Sequence, residues 1–102
     1  GKMKYKEISK YPEIKKDIAV VVDNKVSAKE ISDLIKKAGG SLLTNSEVFD
    51  VYTGKGIQEG KKSLAYSLSF SAQDRTLTDE EINKAVEKIV ERLAKDLKAE
   101  LR

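Results

Sequence analysis

Two polar side chains with complementary chemistry stand two positions apart in the segment Phe49-Asp50-Val51-Tyr52. Residues two apart on a β-strand point to the same side of the sheet, so Asp50 and Tyr52 would share one face. An exposed aromatic ring is a surface on which a nucleobase can stack, a contact that contributes about 1 to 3 kcal/mol. The neighbouring carboxylate can accept hydrogen bonds from N1-H and N2-H₂ of guanine, a pattern that adenine and the pyrimidines do not present. The pair could therefore read one unpaired base.

A structural interpretation of the same two residues stays open at this point. Tyr52 could cover the edge of a sheet or pack on a neighbouring domain. Asp50 could pair with a lysine. Composition and strand alternation alone do not exclude either interpretation.

Most catalytic chemistry is excluded by residue types that the chain lacks. It contains neither cysteine nor histidine, so it has no disulfide, no thiolate nucleophile, no imidazole base and no zinc site of the usual ligands. The carboxylates of residues 79–81 fit a helix cap better than a metal site. The segment Gly54–Ser63 faintly resembles a phosphate-binding loop, but it carries Lys55 where that motif needs glycine. We therefore expect no catalytic residue, metal or cofactor in this chain.

The size and charge of the chain indicate what class of protein it belongs to, namely a single soluble domain with a basic arm. Its 102 residues, 39% of them hydrophobic, predict one compact domain. Charged residues make up 36%, and no apolar run is long enough to cross a bilayer, which predicts a soluble protein. The net charge of +3 is concentrated, with six lysines against two glutamates in residues 1–16. Phosphate contacts are therefore expected near this arm and the Gly54–Lys62 loop, although ordinary solvated lysines are an equal alternative.

Hydrophobic periodicity predicts six elements in the order β, α, β, β, α, β. The strands are expected over Ile14–Asn24, about Leu42–Tyr52, from Lys61 onward and, as a short edge strand, over Ala99–Arg102. Capping boxes that begin at Ser27 and Thr78 predict the two helices, the first of which ends at Gly39-Gly40. This order is the split βαβ arrangement of a ferredoxin-like α+β sandwich, with both helices on one face of an antiparallel sheet.

A single domain is expected over residues 1–102, with an extended segment over residues 1–12.

Strand alternation divides the side chains of this predicted sheet between two faces. The face covered by helices should carry Val20, Phe49, Val51, Leu64 and Leu68. The open face should carry Ala19, Val21, Val48, Asp50, Tyr52 and the serine row that begins at Ser63.

Four stretches, in this order, carry a resemblance to a known family. They are Tyr11–Asp23, Glu47–Phe70, Asp74–Asn83 and Ala99–Arg102. Over nearly its whole length the chain resembles the C-terminal ferredoxin-fold anticodon-binding domain of the bacterial-type phenylalanyl-tRNA synthetase β subunit. This resemblance implies that the domain grips the anticodon stem-loop of phenylalanine tRNA. It also implies that Tyr52 stacks on the first anticodon base, a guanine, that Asp50 reads it, and that Ser63 and Ala19 belong to the site.

The resemblance further implies how the rest of the enzyme is arranged. Aminoacylation, with its ATP and magnesium, takes place in the α subunit of a cytoplasmic α₂β₂ assembly. Where the family commonly has an arginine pair, this chain has Lys15-Lys16, which keeps the charge without the bidentate fork. Lys61 and Lys62 are further candidates for phosphate contacts, whereas Arg75 is expected to support the turn into the second helix. A small-ligand regulatory or protein-docking module is the alternative, because one fold hosts many functions.

Overall fold

The computed structural model describes residues 11–102. Its strands are β1 (Ile14–Asp23), β2 (Leu43–Tyr52), β3 (Lys61–Phe70) and β4 (Glu100–Leu101), and its helices are α1 (Ala28–Gly39) and α2 (Asp79–Leu97). The predicted order of elements is therefore confirmed. The extended segment predicted over residues 1–12 lies, apart from Tyr11 and Pro12, outside the described residues.

The four strands form one antiparallel sheet in the order β2-β3-β1-β4. The two long central strands, β1 and β3, pair along their whole length, from Ile14 opposite Phe70 to Asp23 opposite Lys61. The strands β2 and β4 form the two edges. This topology, with both helices contributing to one core, confirms the ferredoxin-like α+β fold.

The core lies between the two central strands and the two helices. Alternate residues of β1 are buried, as predicted, while Ala19 and Val21 between them are half-buried on the opposite face. The largest buried side chains are Val20, Val22, Ile31, Ile35, Leu64, Tyr66, Leu68, Phe70, Ile82, Ile89 and Leu93. Tyr66 is satisfied inside this core, because its hydroxyl donates to the carbonyl of Ala28 at 3.0 Å and lies 3.2 Å from the Ser32 hydroxyl. Burial raises the pKa of Tyr66.

Both predicted capping boxes are present. The hydroxyls of Ser27 and Thr78 accept from the amides of Glu30 and Glu81, and each glutamate accepts in return from the capping residue's amide. Arg75 forms ion pairs with Asp74 and Glu81, which confirms its predicted role at the turn into α2. The hydrogen bond from Arg75 lowers the pKa of Glu81 below its ordinary value of 4.5.

The prediction that Phe49 and Val51 lie under the helices is wrong. Phe49 is 58% exposed and Val51 is 55% exposed. The strand β2 is an edge strand, and α1 lies beside its first residues, where Ser32 and Lys36 line a groove with Leu43. Beyond that point no described helix covers the side chains of β2.

The strict alternation predicted for β2 is also interrupted at two places, between Leu43 and Asn45 and, by a bulge, between Val48 and Asp50. Val48 pairs with Tyr66 and Asp50 pairs with the next residue of β3, Ala65, so Phe49 is one extra residue. Val48 therefore stands in register with the helix-covered side of β3, not on the open face where alternation placed it. Bulges of this kind bend an edge strand and change the direction of a side chain.

Candidate nucleic-acid interface

Cross-strand registers bring the predicted site residues together on the open face. Two neighbouring rows cross the sheet from β2 through β3 to β1. The first row is Tyr52, Ser63 and Val21, and the second is Asp50, Ala65 and Ala19. The structure thus places all four sequence-predicted residues, Ala19, Asp50, Tyr52 and Ser63, within two adjacent rows.

The ring of Tyr52 is held in place by the hairpin loop that follows it. Its hydroxyl donates to the backbone carbonyl of Lys55 at 2.9 Å. The chain turns beside the hydroxyl end of the ring at Gly54, whose φ of +127° is strained for any residue with a side chain. The Tyr52 side chain keeps 37% of its surface exposed. The ring therefore has a fixed orientation and an accessible area.

The carboxylate of Asp50 keeps its acceptors available. Asp50 is exposed, and no other residue within 11–102 forms a hydrogen bond or ion pair with its side chain. The lysine partner that the structural interpretation required is thus not found in this part of the chain. A bound ligand with N-H donors could satisfy both carboxylate oxygens.

A residue that the sequence reasoning missed also lies on this face. The side chain of Arg102 reaches across the sheet, where its Cζ lies 5.5 Å from the centroid of the Tyr52 ring. Its Nη1 donates to the hydroxyl of Ser63 at 3.4 Å. Ser63 is only 3% exposed, so the hydroxyl expected to be open to RNA is covered. Alternation along β4 was the available signal for this position. Glu100 pairs with Val21 of the open face, and Arg102, two residues later, points to the same side.

The four candidate phosphate-binding lysines divide between the two faces. Lys15 pairs with Ser69 and alternates with Ala19, so it belongs to the open face, whereas Lys16 belongs to the helix side. Likewise, Lys61 alternates with Ser63 on the open face, and Lys62 is on the other side. The structure therefore brings only one lysine of each pair to the face that carries Asp50 and Tyr52.

Acidic side chains limit the direction from which a polyanion can approach. Asp17 and Glu47 both pair with Ser67 and so flank it in the row below Ala65. Lys61 lies at the opposite end of the face, beside the hairpin loop. Phosphates are repelled from the Ser67 row, whereas Lys61 attracts them at the loop end although Asp23 lies opposite it.

Neither a metal site nor a membrane-spanning helix is found among the described residues. Residues 11–102 contain no cluster of three or more acidic side chains arranged to hold a metal ion. Within the same residues, no helix has the length and apolar character needed to span a membrane.

Comparison with known proteins gives a consistent result. A family model described as ferredoxin-fold anticodon binding domain matches residues 9–102. The chain is 46% identical over 99 residues to a phenylalanine–tRNA ligase beta subunit of Clostridium tetani, an alignment that covers 97% of this chain and 12% of the relative. It is 45% identical over 98 residues to that of Bacillus subtilis, covering 96% of this chain and 12% of the relative.

The beta subunit of a Listeria monocytogenes strain is similar over almost the entire chain. The two are 44% identical over 101 residues, which is 99% of this chain and 13% of the relative. The chain thus spans about one eighth of the length of the curated relatives it matches. The resemblance drawn from the four sequence stretches is confirmed.

Proposed function

We propose that this chain, which belongs to the family of ferredoxin-fold anticodon-binding domains, binds the anticodon stem-loop of phenylalanine tRNA on the open face of its sheet. One observation carries the proposal. An oriented, accessible Tyr52 ring and an Asp50 carboxylate that has no hydrogen-bond or ion-pair partner among residues 11–102 stand in adjacent rows of that face.

In this proposal, Tyr52 supplies affinity for a base and Asp50 supplies the preference for guanine. A guanine stacks on Tyr52, which gives affinity but little identity because every base has a π-face. Asp50 accepts from the N1-H and N2-H₂ edge of that guanine. The small residues Ala19 and Ala65 leave space for the base to approach the sheet.

Discrimination against adenine follows from the cost of an unpaired carboxylate. Adenine has an acceptor at N1 and no amino group at C2, so Asp50 would lose water without gaining a donor. Leaving a polar group desolvated and unpaired costs about 1 to 3 kcal/mol, and more when it is charged. Asp50 is therefore assigned the reading of the first anticodon base.

The lysines on the open face would position the RNA without reading it. Lys61, and more weakly Lys15 because it lies beyond the acidic Ser67 row, attract phosphates through a term that depends on salt and not on sequence. Lys16 and Lys62 face away from the proposed site and are assigned no phosphate contact.

We assign this domain no catalytic step of its own. Its partners in the proposal are phenylalanine tRNA, the remainder of a phenylalanine–tRNA ligase β subunit and the α subunit of an α₂β₂ enzyme. ATP and magnesium would act elsewhere in that enzyme. The domain contributes by holding the anticodon end of the tRNA.

Titration with two RNA stem-loops that differ only at the first anticodon base, guanine or adenine, tests this function. Tyr52→Ala should weaken binding of both RNAs by about 1 to 3 kcal/mol, because stacking is lost for any base. Asp50→Ala should weaken the guanine form selectively and lower the preference for guanine about tenfold, since about 1.4 kcal/mol of paired hydrogen bonding is removed.

Val51→Ala is the matched control, because Val51 lies between the two site residues but pairs with the buried Leu64 on the helix side. It should leave both affinities unchanged. If Tyr52→Ala and Asp50→Ala bind like the parent chain, the proposed site is wrong. A loss of RNA affinity confined to Val51→Ala would place the RNA contact on the helix side of β2 instead of the open face.

A further inference from the structure

The side chain of Arg102 lies where the proposed function needs a base. Its guanidinium carbon stands 5.5 Å from the centroid of the Tyr52 ring, within the range of a cation–π contact. The same side chain donates to Ser63, and the backbone amide of Arg102 donates to the carbonyl of Ala19 at 2.8 Å. Arg102 thus contacts three of the four residues that the sequence predicted for the site.

Small side chains beneath the arginine make this position possible. Ala65 and Ala19 pair with each other in the row next to Ser63, so in that row only two methyl side chains lie between Arg102 and β2. The backbone of Arg102 is fixed by its hydrogen bond to β1, whereas its long side chain has several rotatable bonds. The guanidinium can therefore move while its point of attachment stays in place.

The Tyr52 ring, in contrast, is fixed at its far end. Its hydroxyl donates to Lys55, and a side chain added at Gly54 would come within 3.4 Å of that hydroxyl oxygen. One plate of the pair is thus held by the hairpin loop, and the other is carried on a flexible stem. Such an arrangement can open in one direction only, by movement of the arginine.

We propose that Tyr52 and Arg102 are the two plates of a clamp, and that the unpaired base inserts between the aromatic ring and the guanidinium plane. This inference rests on the proposed function. Stacked layers are separated by about 3.5 to 4 Å, so a base between two plates needs a separation of about 7 to 8 Å. The guanidinium has to retreat by about 2 Å, which rotation of an arginine side chain supplies.

The energetic balance favours insertion over simple closure. Separating an exposed cation–π pair weakens binding by about two- to fivefold. Stacking of a base on one aromatic ring strengthens it by about five- to 150-fold. A guanidinium on the second face of the base adds a further stacking contact, since arginine planes are also used to stack unpaired bases.

The clamp and the carboxylate then have separable roles. Both plates touch the faces of the base, which differ little among bases, so Arg102 sets affinity without changing base preference. Asp50 touches the edge and sets the preference. Because lysine keeps the charge of arginine but lacks its plane, Arg102→Lys separates stacking from electrostatics.

The test measures binding of the guanine and adenine stem-loops to the 102-residue chain and its Arg102→Lys variant over a series of salt concentrations. We expect about threefold weaker binding of both RNAs, an unchanged ratio between them and an unchanged salt dependence. Arg92→Lys is the matched control: Arg92 pairs with Asp96 on α2, and lysine can keep that pair. It should bind like the parent chain.

A double variant tests whether the two plates act on the same base. In a Tyr52→Ala background, Arg102→Lys should have less than half of its effect, because the base no longer has a fixed plate beneath it. Thermal unfolding of each variant verifies that the fold is retained.

Three outcomes would overturn the clamp. Unchanged binding by Arg102→Lys would show that the guanidinium plane does not contact the base, and tighter binding would show that it is only a competitor for the ring. A changed guanine-to-adenine ratio would assign Arg102 to the base edge. If Tyr52→Ala and Asp50→Ala also have no effect, the proposed function fails; if they act as expected, only the clamp fails.

Discussion

The central strand β3 and the edge strand β2 are both ten residues long, yet they have opposite environments. Most of β3 is buried, whereas almost every residue of β2 beyond Leu43 is exposed. The direct partners Leu64 and Val51 differ from 1% to 55% in exposure. Between bulges, alternation reports which side a residue faces, but position within the sheet decides whether that side is covered.

The same comparison separates stability from recognition. The core is built on β1 and β3 together with the two helices. The proposed base-reading residues, Asp50 and Tyr52, lie on β2. Polar and aromatic residues that must meet a ligand can occupy an edge strand at little cost to the core.

The largest expected effect is on stability, and it distinguishes the two cross-strand partners Leu64 and Val51. Leu64→Ala should lower the free energy of unfolding by about 2 to 5 kcal/mol, because it leaves a cavity between the sheet and the helices. Val51→Ala should lower it by less than about 1 kcal/mol, since the side chain is exposed. Denaturant unfolding of both variants measures the difference. Equal losses would mean that the helix side of β2 is covered in solution.

An effect of intermediate size on stability is expected when the hydroxyl is removed from Tyr66, which is buried, and a smaller one when it is removed from Tyr52, which is exposed. Tyr66→Phe should cost about 1 kcal/mol of stability, because the hydroxyl joins β3 to Ala28 and Ser32 of α1. Tyr52→Phe should change stability by less than about 0.5 kcal/mol. It should nevertheless weaken RNA binding slightly, because the ring loses its hydrogen bond to Lys55.

Chemical denaturation and stem-loop titration of these two variants provide the two readouts. If Tyr52→Phe destabilises the fold more than Tyr66→Phe, then the edge strand contributes to the core in a way that its exposure does not reveal.

The smallest expected effect concerns two adjacent lysines at the start of β3. Lys61→Gln should weaken stem-loop binding and reduce the slope of log affinity against log salt by about one, because one phosphate contact is lost. Lys62→Gln removes the same charge from the helix side and should leave that slope nearly unchanged. Titrations at several salt concentrations measure both. Equal slopes for the two variants would contradict the orientation assigned to the RNA.

Local patterns in the sequence determined much of the fold. The capping boxes at Ser27 and Thr78 place the helix starts through contacts that span only three residues. The β-branched run of β1 and the alternation of β3 place the central strands, because both of their neighbours in the sheet are strands. The shared face of Asp50 and Tyr52 followed from a spacing of two residues.

Only the tertiary structure decided the surroundings of those residues. It left Phe49 and Val51 exposed, because coverage of an edge strand depends on where α1 lies and not on local alternation. It turned Val48 to the other side through a bulge. It also brought Arg102 over Tyr52, a contact across 50 positions of the chain that depends on the pairing of β4 with β1. Sequence spacing determines direction along one strand, whereas neighbours across the sheet are set by the packing of the whole chain.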